Sequence, residues 1–519
     1  MEELSFHRLL LQTREQRGDN LGFVEGEVRE SSAEHIDVSL QLVRALRSAG
    51  VARGERIALL GHASRRFVNG LHAAALGGWI AVPLNTRLAA PELAELLRDS
   101  DPAVVLVDAA HLAALEQTLR LVRAEPRIVL LDLPAEAAGP HWSLADLLAA
   151  ETAEAPPEPA EDEPVLMLYT GGTTGRSKGA LCTNRQLVLS LHRLQFQLDV
   201  MAAGATMISM NPLFHIGAIN AAYAFPSAGS TVVLHPSFDP DLVVQAAQTH
   251  RVTHLSALVA ILQRLMSHPR FSPSVFSSLR YVTYGANPIP VDLLADVLTA
   301  FPGVEVQQSY GMTEAFGGVT CLSGADHLAG GARLSSVGRA LPGVVVSIRD
   351  PDGRVLPRGE AGGVCIASGS VSTRYWGADP DVPSAPYLDS GDIGRMDELG
   401  YLYLLDRAKD MIKTGGENVY SIEVEAVLGR HPAVEAVAVI GLPDETWGER
   451  VHAVVVVRPD TPVTAGELRT FARADLAAFK VPKSIEVRSR PLPTSSIGKV
   501  LKRQLRAEHL ASADAASDS

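Results

Sequence analysis

YTGGTTGRSKG, Tyr169–Gly179, is the most distinctive stretch of this 519-residue chain. It follows the apolar run Val165–Leu168, which is typical of a buried strand, and it precedes a helical pattern that Asn184 is expected to cap. Glycines let the backbone turn tightly and point several N–H groups at one anion, while threonine hydroxyls and the Lys178 ammonium add further donors. The stretch therefore predicts a loop that binds a polyphosphate.

The loop departs from the two common nucleotide-binding motifs. Lys178 follows Ser177 where a Walker A loop has glycine, and the glycines do not have GxGxxG spacing. A flexible surface loop is the alternative interpretation. Four glycines, three threonines and a lysine directly behind a strand favour the phosphate site over that alternative.

Short apolar runs alternate with amphipathic stretches on both sides of this loop. The runs expected to be strands are Arg56–Leu60, Trp79–Leu84, Ala103–Asp108, Arg127–Leu131, Val165–Thr170, Thr206–Met210, Thr231–Leu234, Leu279–Tyr284 and Val304–Gln308. Strands that alternate with helices predict an α/β fold of two successive layers, with parallel sheets covered by helices on both faces. Turn signals in residues 344–369 predict a small β-barrel-like subdomain, and the acidic, proline-rich stretch Glu151–Glu163 predicts an exposed loop.

Composition limits the classes of partner. The formal net charge of −13 argues against a nucleic-acid or anionic-membrane partner, and no apolar run is long enough for a transmembrane helix. Three widely spaced cysteines and the lack of a signal-peptide pattern predict a cytoplasmic protein without disulfides. None of the sixteen histidines pairs as HExxH, so zinc chemistry is not expected. The oligomeric state is open, and a homodimer is compatible with the sequence.

Several motifs in a fixed order resemble the adenylate-forming enzymes, which comprise acyl-CoA synthetases, peptide-synthetase adenylation domains and firefly luciferase. The resemblance covers residues 35–505 and begins with the loop Thr170–Lys178, which is similar to the family's phosphate loop. Gly171 stands where serine is usual and Ser177 where proline is usual. The resemblance implies that the chain binds ATP, Mg²⁺ and coenzyme A, and that its remaining substrate is a small-molecule carboxylic acid.

The next motifs imply the nucleotide site. Tyr310-Gly311-Met312-Thr313-Glu314 resembles the segment in which the aromatic ring lies against adenine, the threonine contacts the α-phosphate and the glutamate holds Mg²⁺. Asp392, followed by Arg407, resembles the pair that binds the ribose hydroxyls. The ATP- and AMP-binding residues implied are Thr170, Gly171, Gly172, Thr173, Thr174, Gly175, Lys178, Gly285, Ala286, Asn287, Tyr310, Gly311, Thr313, Asp392 and Arg407.

Motifs near the C-terminus imply a mobile domain. Lys409 occupies the family's hinge position, and Gly415, Gly416 and Glu417 resemble the loop that lines the coenzyme A tunnel. Ser421 replaces a usual proline and is expected to cap the helix that follows. Lys499 resembles the catalytic lysine that bridges the carboxylate and the α-phosphate.

We therefore expect four segments. These are an AMP-binding domain (1–407), a hinge (408–410), a small mobile α+β domain (411–510) and a disordered tail (511–519). Rotation about the hinge would alternate the site between adenylation and thioester formation. The residues expected to act directly in catalysis are Lys499, Thr170, Glu314 and His215; for His215, a structural role is an equal alternative.

The acid is less well defined by the sequence than the reaction is. His215 stands where amino-acid-activating relatives have aspartate, which argues against an amino acid. The residues expected in the acyl pocket are Ile216, Gly217, Ser256 and Gly317, with Gly285 and Gly311 nearby. The small residues Ser256 and Gly317 favour a medium-chain, long-chain or bulky apolar acid, as in fatty acid metabolism.

Three alternatives to an acyl-CoA ligase remain. A fatty acyl-AMP ligase that loads a carrier protein would have an insertion near the hinge, and no insertion lies between Asp392 and Gly416. A non-catalytic nucleotide-binding regulator would be expected to lack Lys499 or Glu314, and both are present. A luciferase-like oxygenase has no specific signal in the sequence.

Overall fold

The computed structural model describes residues 4–122, 125–132, 141–149, 157–171, 177–201, 204–285, 289–378, 385–459, 461–494 and 500–517, with the side chains of 171 and 512–517 excepted. The chain divides into two compact units. The first comprises residues 1–346 and 366–388, and the second comprises 347–365 and 389–519.

Two large sheets and the helices that cover them form the first unit. Its strands are β1 (Leu21–Glu25), β2 (Val28–Ser31), β3 (Arg56–Leu60), β4 (Ile80–Pro83), β5 (Val104–Val107), β6 (Arg127–Leu130), β7 (Trp142–Ser143), β8 (Pro164–Gly171), β9 (Ser177–Thr183), β10 (Thr206–Ser209), β11 (Thr231–Leu234), β12 (His254–Leu258), β13 (Tyr281–Gly285), β14 (Glu305–Met312), β15 (Gly317–Leu322) and β16 (Arg339–Ala340). Its helices are α1 (Phe6–Arg17), α2 (Ser32–Ser48), α3 (Arg65–Gly77), α4 (Ala90–Ser100), α5 (Ala109–Val122), α6 (Leu144–Ala149), α7 (Asn184–Gln197), α8 (Ile216–Ser227), α9 (Pro240–His250), α10 (Val259–Met266), α11 (Val291–Ala300) and α12 (Gly324–Ala329).

Both sheets are mixed, whereas the sequence predicted parallel ones. The first has the strand order β7-β6-β5-β3-β4-β8-β9 and the second has the order β16-β15-β14-β13-β12-β10-β11-β1-β2. The inner pairs are parallel, as predicted, but β1·β2, β8·β9, β14·β15 and β15·β16 are antiparallel. Antiparallel neighbours need only a short connection, and the phosphate loop itself joins β8 to β9. The sequence analysis missed β9.

Helix α7 begins one residue earlier than predicted. Thr183 is its N-cap and forms a capping box with Gln186, so the prediction that Asn184 caps the helix is wrong. Asn184 is the first helical residue, and its Oδ1 accepts a hydrogen bond from the Phe6 N–H at 3.1 Å. Asn184 therefore ties the start of α7 to α1.

The acidic stretch is anchored where the structure describes it. Residues 157–163 form neither helix nor strand, but their carboxylates pair with arginines from three different parts of the chain. The ion pairs are Arg8–Glu158 at 2.9 Å, Arg185–Glu161 at 3.1 Å and Arg53–Glu163 at 2.6 Å. Exposed pairs contribute about 0.2–1 kcal/mol each, so they position this segment more than they stabilise the fold.

Small sheets and three helices make up the rest of the described chain. The strands are β17 (Val344–Arg349), β18 (Ala361–Ser368), β19 (Leu388–Met396), β20 (Leu402–Arg407), β21 (Ile412–Thr414), β22 (Glu417–Val419), β23 (Val434–Asp444), β24 (Gly448–Val457) and β25 (Ser484–Arg488), and the helices are α13 (Ser421–Leu428), α14 (Ala465–Asp475) and α15 (Lys502–Ser517). Strands β17 to β20 form one sheet in chain order, and β22-β21-β24-β23 with β25 beside β24 form another.

Helix α15 extends through most of the segment expected to be a disordered tail. Its last residues are rich in alanine, which has the highest intrinsic helix propensity. Among the described residues, no helix has both the length and the apolar character needed to cross a membrane.

Candidate active site

Glu314 lies at the meeting point of two motifs that are far apart in sequence. It follows β14 in a short 3₁₀ turn, Thr313–Ala315, and only 9% of its surface is exposed. The Thr170 hydroxyl, at the end of β8, donates a hydrogen bond to Glu314 Oε1 at 3.1 Å. The structure thus brings the phosphate loop and the predicted magnesium ligand into direct contact.

Tyr375 completes this cluster, and the sequence analysis missed it. Its hydroxyl donates to Glu314 Oε1 at 3.4 Å, and the Lys178 ammonium lies 5.5 Å from the centroid of its ring. Burial, together with the nearby Glu314 carboxylate, raises the pKa of Tyr375 to about 12, so the phenol stays protonated and remains a donor. The only sequence signal is a pair of adjacent aromatic residues, Tyr375 and Trp376, in a largely polar segment.

These side chains have the chemistry of a magnesium–phosphate site. Mg²⁺ prefers oxygen ligands and is usually held by one or two carboxylates together with substrate phosphates. Glu314 offers a carboxylate, Thr170 offers a hydroxyl, and Lys178, paired with Thr170 across β8 and β9, offers positive charge. The donor set therefore fits Mg²⁺ bound to a polyphosphate.

A buried polar network supports the turn that carries Glu314. Phe316 has φ of 49°, a strained conformation for a bulky residue, and it is fully buried. Its carbonyl accepts hydrogen bonds from Asn220 Nδ2 at 2.7 Å and from the Ser190 hydroxyl. Arg193 donates to the Ala315 carbonyl at 3.3 Å and to the Ser370 hydroxyl at 2.7 Å.

The supporting residues come from α7 and α8 and share no motif, so sequence reasoning did not find them. Burial lowers the pKa of Arg193 to about 10, and the guanidinium remains charged at neutral pH. Its charge interacts with the Ala315 carbonyl oxygen. The network fixes the backbone directly after Glu314 and so helps to set the direction of its carboxylate.

His215 stands at the N-cap position of α8, but its side chain makes no capping hydrogen bond. The ring packs against Phe214 with centroids 4.4 Å apart, and Nε2 is buried with no hydrogen-bond partner among the described residues. Burial, with a smaller effect of Arg87, lowers its pKa to about 4. The imidazole is therefore neutral at pH 7 and has an unused nitrogen.

The predicted acyl-pocket residues lie on neighbouring elements. Gly217 is in the first turn of α8, and Asn211 just before α8 donates from Nδ2 to the Ser256 carbonyl at 3.5 Å. A Cβ atom added at Gly217 would meet nothing within 4 Å, so this position faces open space. Gly317 follows Phe316, whose carbonyl is bound by Asn220 of α8.

The structure gives Gly317 a different reason to be glycine from the one proposed on sequence. Its φ of 142° disfavours other residues, and an added Cβ would lie 3.0 Å from both Asn220 Nδ2 and Ser190 Oγ. The backbone and the polar network therefore require a glycine here, and its small size is not evidence of a roomy acyl pocket. Gly285 and Gly311 are similarly constrained, because an added Cβ at either would meet a neighbouring strand's carbonyl.

Asp392 and Arg407, in the second unit, form a preassembled pair. They face each other across β19 and β20, and Arg407 Nε lies 2.9 Å from Asp392 Oδ1. Arg407 also donates to the Ser390 carbonyl at 3.2 Å, while the Asp392 N–H donates to the Ser390 hydroxyl at 3.1 Å. The aspartate is 6% exposed. Its carboxylate is thus held in one orientation, as recognition of vicinal hydroxyls requires.

The predicted hinge residue Lys409 and the tunnel residues Gly415 and Gly416 lie on turns, and Glu417 begins β22. Lys409 is exposed between Arg407 and Met411, whose N–H donates to the Arg407 carbonyl at 3.1 Å. Gly415 and Gly416, with φ of 59° and 84°, form a two-residue hairpin loop that is closed by the pair Thr414–Glu417. Such loops need two residues with positive φ, which accounts for the adjacent glycines. An added Cβ at Gly416 would meet nothing within 4 Å.

Ser421 has a role other than the predicted helix cap. Helix α13 begins at Ser421, with Tyr420 at the N-cap position. The Ser421 N–H and hydroxyl both donate to Asp406 Oδ2, the hydroxyl at 2.7 Å, and Lys502 Nζ donates to Ser421 Oγ at 2.6 Å. Asp406 is 3% exposed, and burial raises its pKa despite the hydrogen bonds. The serine therefore satisfies a buried carboxylate next to the hinge.

Ser421→Pro, which installs the residue usual in the resembling family, should destabilise this protein. Proline has neither an N–H nor a hydroxyl, so the Asp406 carboxylate loses both donors, at an expected cost of about 2 kcal/mol in the free energy of unfolding. Ser421→Ala keeps the N–H and should cost about half as much. Urea denaturation measures both variants; a proline variant as stable as wild type would contradict this role.

Seven of the predicted site residues lie outside the residues that the structure describes: Gly172, Thr173, Thr174, Gly175, Ala286, Asn287 and Lys499. Their roles stay predictions. Thr170, Gly171, Lys178, Gly285, Tyr310, Gly311 and Thr313 all lie in the first unit, with Glu314.

Comparisons with known proteins show which family the chain resembles along nearly its whole length. Residues 12–376 match the AMP-binding enzyme family, and residues 423–499 match the AMP-binding enzyme C-terminal domain. A feruloyl-CoA synthase from Amycolatopsis sp. is 37% identical over 474 residues, with 90% of this chain and 91% of the relative covered. A fatty acid–[acyl-carrier-protein] ligase from Streptomyces coeruleorubidus is 34% identical over 90% of this chain and 89% of its own.

A solved structure is similar to this chain over the residues of both units. The o-succinylbenzoate coenzyme A synthetase of Bacillus subtilis, in complex with ATP and magnesium, is 30% identical, with a TM-score of 0.82. The alignment covers 96% of this chain and 98% of that one. The matches span nearly the whole chain in sequence and in fold, and they include the segments that carry Thr170, Glu314 and Asp392. This protein therefore belongs to the AMP-binding enzyme family, the adenylate-forming ligases.

Proposed function

We propose that this protein is an ATP-dependent acyl-CoA ligase, which converts a carboxylic acid, ATP and coenzyme A into acyl-CoA, AMP and pyrophosphate through an acyl-adenylate. The observation that carries the proposal is the hydrogen bond between Thr170 and Glu314. It joins a phosphate-binding loop to a buried carboxylate suited to Mg²⁺. Family membership and the preassembled Asp392–Arg407 pair support the same activity.

In the first half-reaction the acid's carboxylate attacks the α-phosphorus of ATP, and pyrophosphate leaves. Mg²⁺ held by Glu314 would neutralise phosphate charge. Thr170 and Lys178 bind the departing phosphates, Asp392 accepts hydrogen bonds from the ribose hydroxyls, and Lys499 stabilises the negative charge that develops at the α-phosphorus. No protein nucleophile is needed, so positioning and charge neutralisation supply most of the rate enhancement.

In the second half-reaction a thiol attacks the acyl-adenylate and releases AMP. We propose that the chain turns about Lys409, withdraws Lys499 and presents the hairpin of Gly415 and Gly416 to the thiol's pantetheine arm. The exposure of Lys409 supports this assignment, because the backbone of a hinge residue must be free to change its dihedral angles. The open space beside Gly416 also supports it, because the pantetheine arm must pass close to the backbone there.

The acceptor is proposed to be coenzyme A, with a carrier-protein phosphopantetheine as the second candidate. The absence of an insertion between Asp392 and Gly416 favours coenzyme A, whereas the relative named as an acyl-carrier-protein ligase favours the carrier. Incubation with acid and ATP, followed by addition of either thiol, separates the two. Accumulation of acyl-CoA supports the proposal; an acyl-adenylate that persists with coenzyme A but transfers to a carrier protein overturns it. Both acceptors, and the three free cysteines, fit a cytoplasmic location.

The acid is proposed to be a medium-chain, long-chain or bulky apolar carboxylate. His215 is neutral and cannot pair with a substrate ammonium as a carboxylate would, which disfavours amino acids. Open space at Gly217 supports an extended substrate. The feruloyl-CoA synthase relative makes aryl-propenoic acids of this apolar class suitable first candidates.

Gly217→Val should shift acid selectivity toward smaller acids. The added methyl groups enter open space on the proposed pocket wall, so the helix tolerates them and the pocket narrows. We expect kcat/KM for the largest accepted acid to fall by about 10-fold relative to the smallest, as steric discrimination of this size allows. Val291→Ala, at an exposed residue, is the control. Unchanged relative kcat/KM values across the acid series would place Gly217 outside the pocket.

A further inference from the structure

Three potential metal ligands converge in the second unit, and none of them belongs to the nucleotide, hinge, tunnel or catalytic-lysine motifs. His452 lies on β24, Glu486 lies on the adjacent parallel strand β25, and His509 lies on α15. One donor atom from each lies within 4.8 Å of the other two. The strand register pairs His452 with Ser484 and Val454 with Glu486.

His452 is oriented for a ligand that the described residues do not supply. It is 6% exposed, and its Nδ1 is hydrogen-bonded to the Ser484 hydroxyl at 2.7 Å. Its Nε2 is buried with no hydrogen-bond partner among the described residues. Buried polar atoms are nearly always satisfied, so an unused imidazole nitrogen on a residue of this cluster calls for an explanation.

The other two donors complete a set of two imidazoles and one carboxylate. His509 Nε2 lies 3.0 Å from Glu486 Oε2, and the two histidine rings are 4.4 Å apart at an angle of 66°. The second carboxylate oxygen, Oε1, is 3.7 Å from Arg488 NH1. The Glu486 and His509 side chains are 29% and 21% exposed, so both have room to adjust. Arg450 and Arg488 are two cations close to the cluster.

We propose that His452, Glu486 and His509 bind one divalent transition-metal ion of the zinc type, with a fourth position open to water. Zinc sites of two histidines and one glutamate are a known ligand set, with bonds of about 2.0–2.2 Å. A tetrahedral ion needs its ligand atoms about 3.4 Å apart, which small rotations of Glu486 and His509 can provide. With a metal ion on Nε2, the His452 Nδ1–H would donate to the Ser484 hydroxyl, which is the kind of outer contact that orients a metal-binding histidine.

Binding would clamp α15 onto the sheet. Leu505 of α15 is already fully buried against β23 and β24, and a metal ion on His509 adds a second fixed point one helical turn further along. The site was not foreseen because its ligands come from three separate elements and have no motif spacing. It is independent of the adenylation chemistry proposed above.

The test is titration of the full chain, stripped by a chelator, with Zn²⁺ in a calorimeter and with Co²⁺ in a spectrophotometer. We expect one ion per chain, the visible bands of tetrahedral Co²⁺, and affinity at least tenfold weaker in Glu486→Gln and in His509→Ala. Ser484→Ala, which leaves all three ligands in place, should weaken binding by about tenfold. Circular dichroism checks that each variant is folded.

A second histidine–carboxylate group supplies the matched control. His62, Asp108 and His111 also place donor atoms within 4.8 Å of one another, but both Asp108 oxygens already accept backbone N–H bonds, from His62 and His111. His111→Ala should leave the affinity unchanged. Binding that is lost in His111→Ala and retained in His509→Ala would overturn the proposal, as would a failure of the wild-type chain to bind either ion.

Discussion

Glu314→Gln is expected to lower kcat for acid-dependent pyrophosphate release by about 10²–10³-fold, the size of effect seen when a single electrostatic contact to a reacting group is removed. Glutamine keeps the volume of glutamate, and its amide oxygen can still accept from Thr170 and Tyr375. The substitution therefore removes the negative charge that we propose binds Mg²⁺. It leaves intact the turn that Asn220 and Arg193 support.

Two measurements separate this role from a structural one. The apparent affinity for Mg²⁺ should fall along with kcat, while the unfolding midpoint stays close to that of wild type. Tyr375→Phe is the matched control, since it removes only the 3.4 Å hydrogen bond to Glu314 and should cost less than tenfold. A Glu314→Gln enzyme that keeps a third or more of wild-type kcat at limiting Mg²⁺ would contradict the assignment.

Lys499→Ala is expected to have an effect at least as large, but on one half-reaction alone. The lysine is proposed to stabilise charge at the α-phosphorus during adenylation, so its loss should reduce that step by at least about 10²-fold. In the proposed mechanism, thioester formation uses a second domain orientation, from which Lys499 has withdrawn. When acyl-adenylate is supplied directly, the variant should therefore convert it to acyl-CoA at close to the wild-type rate.

Arg503→Ala is the matched control for Lys499, because it removes an exposed cation from the same C-terminal segment. It should leave both half-reactions unchanged. If Lys499→Ala slowed both half-reactions equally, the two-orientation account would be wrong, and the lysine would act on the fold or on nucleotide binding in general.

The sequence was informative where one short segment carries a complete function. The glycine–threonine loop and the Tyr310–Glu314 segment each predicted a role from neighbouring residues, and the structure places Thr170 and Glu314 in contact. Strand positions were also predictable from short segments. Strands that are buried along their whole length, such as Val104–Val107, appear in the sequence as continuous apolar runs. The prediction that both large sheets are parallel failed at their antiparallel pairs, since apolar runs do not encode strand direction.

What the sequence could not provide depends on contacts between distant segments. Tyr375, Asn220 and Arg193 contact the Glu314 turn from three distant segments, and no motif marks them. Gly317 shows how a residue type can be misinterpreted. Its small size is easily interpreted as evidence of space for substrate, but its backbone conformation and its polar neighbours require glycine. Residue size alone does not reveal whether a position faces a cavity or a packed wall.

The central claim, that this protein activates a carboxylic acid as its adenylate, is tested most directly by ATP–pyrophosphate exchange. Labelled pyrophosphate and Mg²⁺–ATP are incubated with the enzyme and a panel of acids that spans short, medium and long chains, aryl-propenoic acids and polycyclic acids, without any thiol. We predict label in ATP that depends on one class of apolar acid and is lost in Glu314→Gln. Exchange that does not depend on any acid in the panel, from an enzyme that binds Mg²⁺–ATP, would contradict the account.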